Sequence, residues 1–134
     1  TFNAVIVGNA VAWKEWSLGK KKVKANLLNI YISTTYSGAL YYTPVDLEAS
    51  RDRGRFIGDY ANPNSARQDN LLFIDVSLVY RRNLLKRSSQ LSLQISNLLN
   101  QRPLLNQFYD RENDTLGQTL GTGTFPILSW KIQF

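Results

Sequence analysis

Along much of this chain apolar residues recur at every second position, in runs separated by polar stretches of two lengths. The clearest run is 124–134. There Pro126, Leu128, Trp130, Ile132 and Phe134 fall on one side, and Ile127, Ser129, Lys131 and Gln133 on the other. Such alternation is the signature of a strand whose side chains point in turn to two faces. The same period runs through 71–82, where Leu72, Ile74, Val76, Leu78 and Tyr80 share one face and Asp75, Ser77 and Arg81 interrupt the other. It returns in 90–100, where Leu91, Leu93 and Ile95 alternate with Ser92, Gln94 and Ser96. Two further stretches are strand-like but less regular. Residues 1–16 are rich in Val, Ala and aromatics without a settled phase. Residues 23–42 alternate over Leu28, Ile30 and Ile32, while Val23, Ala25 and Leu27 sit in the opposite phase. That slip predicts a bulge near Leu27 or a segment already beyond a bilayer.

Five strands are therefore expected, at about 1–16, 23–42, 71–82, 90–100 and 124–134, or six if 23–42 breaks in two. The connections between them run short, long, short, long. Helical periodicity of useful length, heptads and low-complexity segments are all missing from the pattern. Tight turns on one side and long loops on the other are the rhythm of an outer-membrane β-barrel, whose strands cross the hydrocarbon in about 9–11 residues. The expected fold class is all-β, a transmembrane antiparallel up-and-down barrel. Counting strands back from Phe134 puts the C-terminus and the short turns on the periplasmic side. Trp13, Trp16, Tyr80 and Trp130 then fall toward that side, where an aromatic girdle belongs.

Composition narrows the chemistry. The sequence has neither Cys nor His, which removes disulfides, thiolate and imidazole metal sites, and nucleophilic catalysis that depends on an imidazole base. No paired carboxylates, nucleophile elbow or phosphate loop appears, so no enzyme activity and no cofactor are expected. A net charge of +6 raises the question of nucleic acid. However, Lys20, Lys21, Lys22, Lys24, Arg81, Arg82, Lys86 and Arg87 crowd the two short connections instead of mixing with aromatics on one face, so nucleic-acid binding is not expected. On the periplasmic side those cations would meet anionic headgroups. Because the first residue is not Met and strand-like sequence follows at once, the chain reads as a piece of a larger polypeptide.

Several stretches carry a family likeness. Ser96-Asn97-Leu98-Leu99-Asn100-Gln101-Arg102 resembles the N-L-x-N segment near the end of TonB-dependent outer-membrane receptors. Phe73-Ile74-Asp75-Val76-Ser77-Leu78-Val79-Tyr80 resembles their preceding strand, Tyr42-Thr43-Pro44-Val45-Asp46 the end of the strand before it, and Phe108-Tyr109-Asp110 the opening of their last loop. The stretch from Phe125 to Phe134 is similar to their closing strand. The order and spacing of these pieces, over nearly the whole chain, are more specific than any one of them. This resemblance implies the last five strands of a roughly 22-stranded barrel with a plugged lumen. It also implies a separate N-terminal plug, absent from this chain, through which the receptor meets TonB. Expected partners are thus the receptor's other barrel strands and plug, TonB through that plug, the barrel-assembly machinery, outer-membrane lipid and a surface lipoprotein lid.

The resemblance makes Leu128, Trp130, Ile132 and Phe134 an assembly signal; the bland alternative is an ordinary core strand of a soluble sandwich. Arg51, Arg53, Arg55, Asp59 and Arg67, in the long connection 46–70, are candidates to contact a ligand or a lid at the extracellular mouth. Their alternative is a solvated charged loop. Asp75, Ser77, Arg81, Ser92, Gln94, Ser96, Ser129, Lys131 and Gln133 are expected to face the lumen. Asp110 to Asp114 has part of the oxygen spacing of a calcium loop but lacks its glycine and its bidentate Glu, a poor match. Asn97 and Asn100 fit a structural role, satisfying backbone groups where a strand leaves the sheet. From a different class, a small autonomous barrel, in the outer membrane or lipocalin-like, stays open but requires about eight strands.

Overall fold

The structure is a computed structural model that describes residues 6–19 and 26–134. Its strands are β1 Val7–Leu18, β2 Asn26–Ser37, β3 Tyr41–Tyr42, β4 Ala66–Arg67, β5 Leu71–Asn83, β6 Ser88–Ser96, β7 Leu104–Asp110, β8 Thr115–Leu120 and β9 Phe125–Gln133, with one helix, α1, at Leu47–Arg53. The chain is all-β in class with antiparallel sheets, and it divides into two compact units.

One unit takes in Gly8–Thr35, Leu72–Asn100 and Gly123–Phe134. It is a five-stranded sheet in the order β1-β2-β5-β6-β9, a meander in which each strand lies beside its neighbour in this series. The described strands form an open sheet, not a closed barrel. Register places Val76, Ile95 and Pro126 in one cross-strand row, followed by Leu78–Leu93–Leu128, Tyr80–Leu91–Trp130 and Arg82–Ser89–Ile132. Between them run Ser77–Gln94–Ile127, Val79–Ser92–Ser129, Arg81–Gln90–Lys131 and Asn83–Ser88–Gln133. Since alternate rows point to opposite faces, the sheet has one apolar face and one largely polar face.

Among the described residues no hydrophobic side chain is buried, and Leu128 and Trp130 are 70% and 71% exposed. The Trp130 indole N–H finds a polar partner, donating to Ser89 Oγ at 2.8 Å across the strand pair. On the polar face Ser92 and Ser129 share a hydrogen bond of 2.5 Å, and Arg81 donates through Nε and Nη2 to Gln90 Oε1.

The strands end differently at the two ends of the sheet. Between β5 and β6 the chain turns tightly, with the Leu84 N–H donating to the Arg87 carbonyl. After β6 it leaves through Asn97 and Asn100, both left-handed (φ 53° and 54°), a conformation that Asn tolerates better than most residues. The Asn97 N–H donates to Asp75 Oδ1 at 2.8 Å, the Leu98 N–H to the Ile74 carbonyl, and the Thr124 N–H to Asn100 Oδ1 at 3.1 Å. The asparagine pair therefore fastens the exit of β6 to the entry of β9, the structural role its spacing implied.

The other unit combines Thr1–Val7, Tyr36–Leu71 and Gln101–Thr122, and so holds most of both long connections. The strand expected over 23–42 is interrupted after Ser37. Gly38 approaches Ile6, its N–H donating to the Ile6 carbonyl at 2.8 Å, and a Cβ there would lie 3.3 Å from that oxygen. Tyr41–Tyr42 then pairs with Ala66–Arg67 as a separate small ladder. The expected bulge near Leu27 borders residues outside the described part; within it, β2 runs unbroken from Asn26.

Connection 46–70, expected only as a long polar connection, contains α1. Asp46 caps the helix by accepting from the Ala49 N–H at 3.0 Å, Glu48 stands in the first turn, and Arg51 and Arg53 in the last complement the helix dipole. Gly54 closes it in the left-handed conformation. Connection 101–123, likewise expected only as a long connection, folds into the β7–β8 hairpin. In it Gly117 faces Phe108, and a Cβ at Gly117 would overlap the Phe108 ring.

Asp75 ties the β6 exit to β5, and a half-buried N–H left without its acceptor costs about 1–3 kcal/mol. Asp75→Ala is expected to lower stability by that amount, with Asp75→Asn, which keeps an acceptor, recovering most of it. Urea unfolding of both variants measures the difference.

Candidate functional site

The residues expected at a binding surface lie in the unit built from the long connections, where Arg51, Asp59 and Arg67 have side-chain partners. Arg51, on α1, donates through Nε to Asp114 Oδ1 at 2.8 Å, and the Tyr109 hydroxyl donates to the same oxygen at 2.6 Å. Asp114 follows the β7–β8 turn in the left-handed conformation, which aims its carboxylate at both donors. Beside them the Arg111 guanidinium lies against Gly54, where a Cβ would come within 3.4 Å of it. One exposed ionic knot thus ties α1 of the first long connection to the hairpin of the second.

Arg53 is exposed in the last turn of α1, and the Arg55 N–H closes the helix onto the Ser50 carbonyl. Asp59 accepts from the Ala61 and Asn62 N–H groups and from Asn62 Nδ2, which makes it a turn former. Asp110 repeats that pattern, accepting from the Glu112 and Asn113 N–H groups and from Asn113 Nδ2 at 2.7 Å. The Asp110 and Asp114 oxygens of the calcium-loop-like spacing are thereby engaged within the turn or with Arg51 and Tyr109. Arg67 lies over the Tyr41 ring at 5.9 Å, a cation–π contact at the β3–β4 ladder.

Ser50 is the one fully buried side chain among the described residues, and sequence reading gave it no role. Its hydroxyl lies 2.6 Å from the Asp46 carbonyl and accepts from the Ile57 N–H at 2.9 Å, folding the chain after α1 back on the helix. Gln68 donates to the Leu104 carbonyl at 3.0 Å, a second link between the long connections. Next to it opens a cleft of about 180 Å³ lined by Tyr42, Phe56, Gln68, Leu105, Asn106 and Gln107 among others. Aromatic surface beside side-chain amides can hold a polar organic ligand by stacking and hydrogen bonding. On the polar face of the sheet a shallow depression of about 200 Å³ is bordered by Tyr31, Ser33, Asp75, Ser77 and Gln94.

The four residues expected as an assembly signal sit on or just beyond β9. Leu128, Trp130 and Ile132 share its apolar face by register, and Phe134 follows the strand, 97% exposed. No protein-family model, curated protein or solved structure matches the chain. The functional reading accordingly rests on this geometry and on the motifs in the sequence.

The ionic knot sets a pH window. The Arg51 guanidinium, and secondly the Tyr109 hydroxyl, hold the Asp114 carboxyl below its ordinary value of 3.8. The bond to Asp114 in turn pushes the Tyr109 phenol above its ordinary 10.0. A lowered carboxyl gives stability that is complete above its unfolded value and vanishes as pH falls through the folded one. A raised phenol gives stability that is complete below its unfolded value and vanishes as pH rises through the folded one. Hydrogen-exchange protection of the α1 and β8 amides, corrected for intrinsic rates, should hold between those limits and fall beyond both. Asp114→Asn should remove the acid limb.

Proposed function

We propose that this chain forms barrel wall, extracellular loops and the closing strand of an outer-membrane receptor. The whole receptor would take up a large nutrient, such as a metal chelate, vitamin, oligosaccharide or peptide, with energy delivered by TonB. The observation that carries this reading is the five-stranded meander whose β5–β6–β9 ladder has one mostly apolar face, with no buried hydrophobic side chain among the described residues. In water so large an uncovered apolar face is a liability. Against acyl chains it is what a barrel wall requires, because lipid-facing and lumen-facing residues alternate along each strand.

Further support comes from the connections. The tight turn 84–87 lies at one end of the β5–β6–β9 ladder, and the longer excursions leave from the other, as in barrels whose large loops face outward. On this reading the unit containing α1 and the β7–β8 hairpin is extracellular and meets the ligand or a surface lipoprotein lid. The hydroxyl- and amide-bearing face of the sheet looks into the lumen, toward the plug. Leu128, Trp130, Ile132 and Phe134 would serve the barrel-assembly machinery. The unpaired side of β9 would take up the first strand of the same receptor, since an open edge of a membrane sheet leaves backbone groups unsatisfied in lipid.

The natural absence of Cys makes a topology test clean. Single Asn62→Cys and Lys86→Cys variants, in the protein at its natural length, are treated on intact cells with a membrane-impermeant maleimide. Asn62→Cys should label at once, and Lys86→Cys only after the outer membrane is permeabilised. Labelling of Lys86→Cys alone would invert the orientation, and equal labelling of both in a soluble fraction would overturn the membrane assignment.

A further inference from the structure

Charge is one-sided at the tight-turn end of the β5–β6–β9 ladder, although the unit as a whole also holds Glu15 on β1 and Asp75 near the far end of β5. The stretches 76–100 and 123–134 hold Arg81, Arg82, Lys86, Arg87 and Lys131 and no Asp or Glu. All five cations cluster at the tight-turn end, in the last rows of β5, β6 and β9 or in the turn itself. They divide between the two faces. Arg81 and Lys131 share a row with Gln90 on the polar face, where Arg81 is bonded to the Gln90 amide oxygen. Arg82 belongs to the apolar face, in the row next to Tyr80–Leu91–Trp130. Lys86 and Arg87 follow in the turn, and no carboxylate among the described residues pairs with any of these three.

From this arrangement we propose that Arg82, Lys86 and Arg87 bind the phosphate of an anionic phospholipid at the tight-turn edge of the apolar face. The inference rests on the membrane reading given under Proposed function and adds a specific lipid contact to it. Exposed apolar groups beside the cations favour a lipid over a free anion: Leu84 is 40% exposed, Leu85 80% and Trp130 71%. A hydrated phosphate gains nothing from such neighbours, whereas a phospholipid presents glycerol and acyl carbon directly beneath its phosphate. Trp130, with its indole N–H on Ser89, is amphipathic in the way interfacial aromatics are. Arginine and lysine together suit a phosphate, the first through its planar fork and the second as a compact charge.

The test uses the protein at its natural length in nonionic detergent, offered equimolar phosphatidylglycerol and phosphatidylcholine, with retained lipids counted by native mass spectrometry. Wild-type protein should keep phosphatidylglycerol in preference. The R82Q/K86Q/R87Q variant should lose about fivefold of that preference per cation removed. R81Q/K131Q, which removes charge at the same end but on the polar face, should stay within about twofold of wild type. Equal retention of both lipids by wild type, or equal loss in the two variants, would overturn the proposal. So would displacement of phosphatidylglycerol by inorganic phosphate at equal concentration, which would mark a free-anion site. A protein that stays in solution without detergent and takes up no lipid would sink the membrane reading as well. One that needs detergent but holds both lipids alike would sink this inference alone.

Discussion

Backbone pairing, and not side-chain burial, holds the described sheet together. Its strands are joined by ladders such as the nine-pair register of β6 with β9, while none of its hydrophobic side chains is buried. In an aqueous globule that would be unstable, because ordering the chain costs about 1–2 kcal/mol per residue and apolar burial is the principal compensation. On the proposed reading, what completes this sheet lies outside the described residues. It has to meet Leu78, Leu91, Leu93, Leu128 and Trp130 on one side and the hydroxyls and amides of Ser92, Ser129, Gln90 and Gln94 on the other. Acyl chains on the first face and a polar lumen on the second satisfy both at once.

The unit built from the long connections obeys a different rule. Its order comes from polar contacts: the Asp46 cap, the buried Ser50 hydroxyl, the turn-forming Asp59 and Asp110, and the shared acceptor Asp114. Surface ion pairs contribute little individually. Here they act by choosing one arrangement of α1 and the β7–β8 hairpin, which leaves the exposed aromatic and amide groups of the neighbouring cleft in fixed positions.

What was legible in the sequence follows from these two rules. Period-two alternation located β5, β6 and β9 to within a few residues and assigned their faces, because one side of each strand is mostly apolar, with Arg82 and Ser89 the exceptions at the tight-turn end. The single strand expected over 23–42 is interrupted at Gly38, where the chain approaches Ile6, as the six-strand alternative allowed; a lone glycine in a strand pattern was the available signal. Helix α1 was missed because it is short and has no apolar stripe. Its marks were Asp46 before the helix, Glu48 inside it and Gly54 after it, a capping pattern and not a periodicity. Asp114 and Tyr109 carry no sequence signal that pairs them with Arg51, since that contact spans 63 residues and depends on two turns folding first. Arg51, expected to contact a ligand or a lid, has a carboxylate partner that makes it a fastener of loops.

The central claim is that the Leu91–Leu93–Ile95 face of β6 looks into lipid while its Ser92–Gln94 face looks into a polar space. Spin labels placed one at a time from Ser88 to Ser96 in the membrane-reconstituted protein test it directly, through collision with oxygen, which concentrates in acyl chains, and with a water-soluble nickel chelate. Oxygen accessibility should peak at 91, 93 and 95, with a smaller nickel signal in the opposite phase at 92 and 94. Low accessibility to both probes at 91, 93 and 95, as in the packed core of a soluble sandwich, would contradict it.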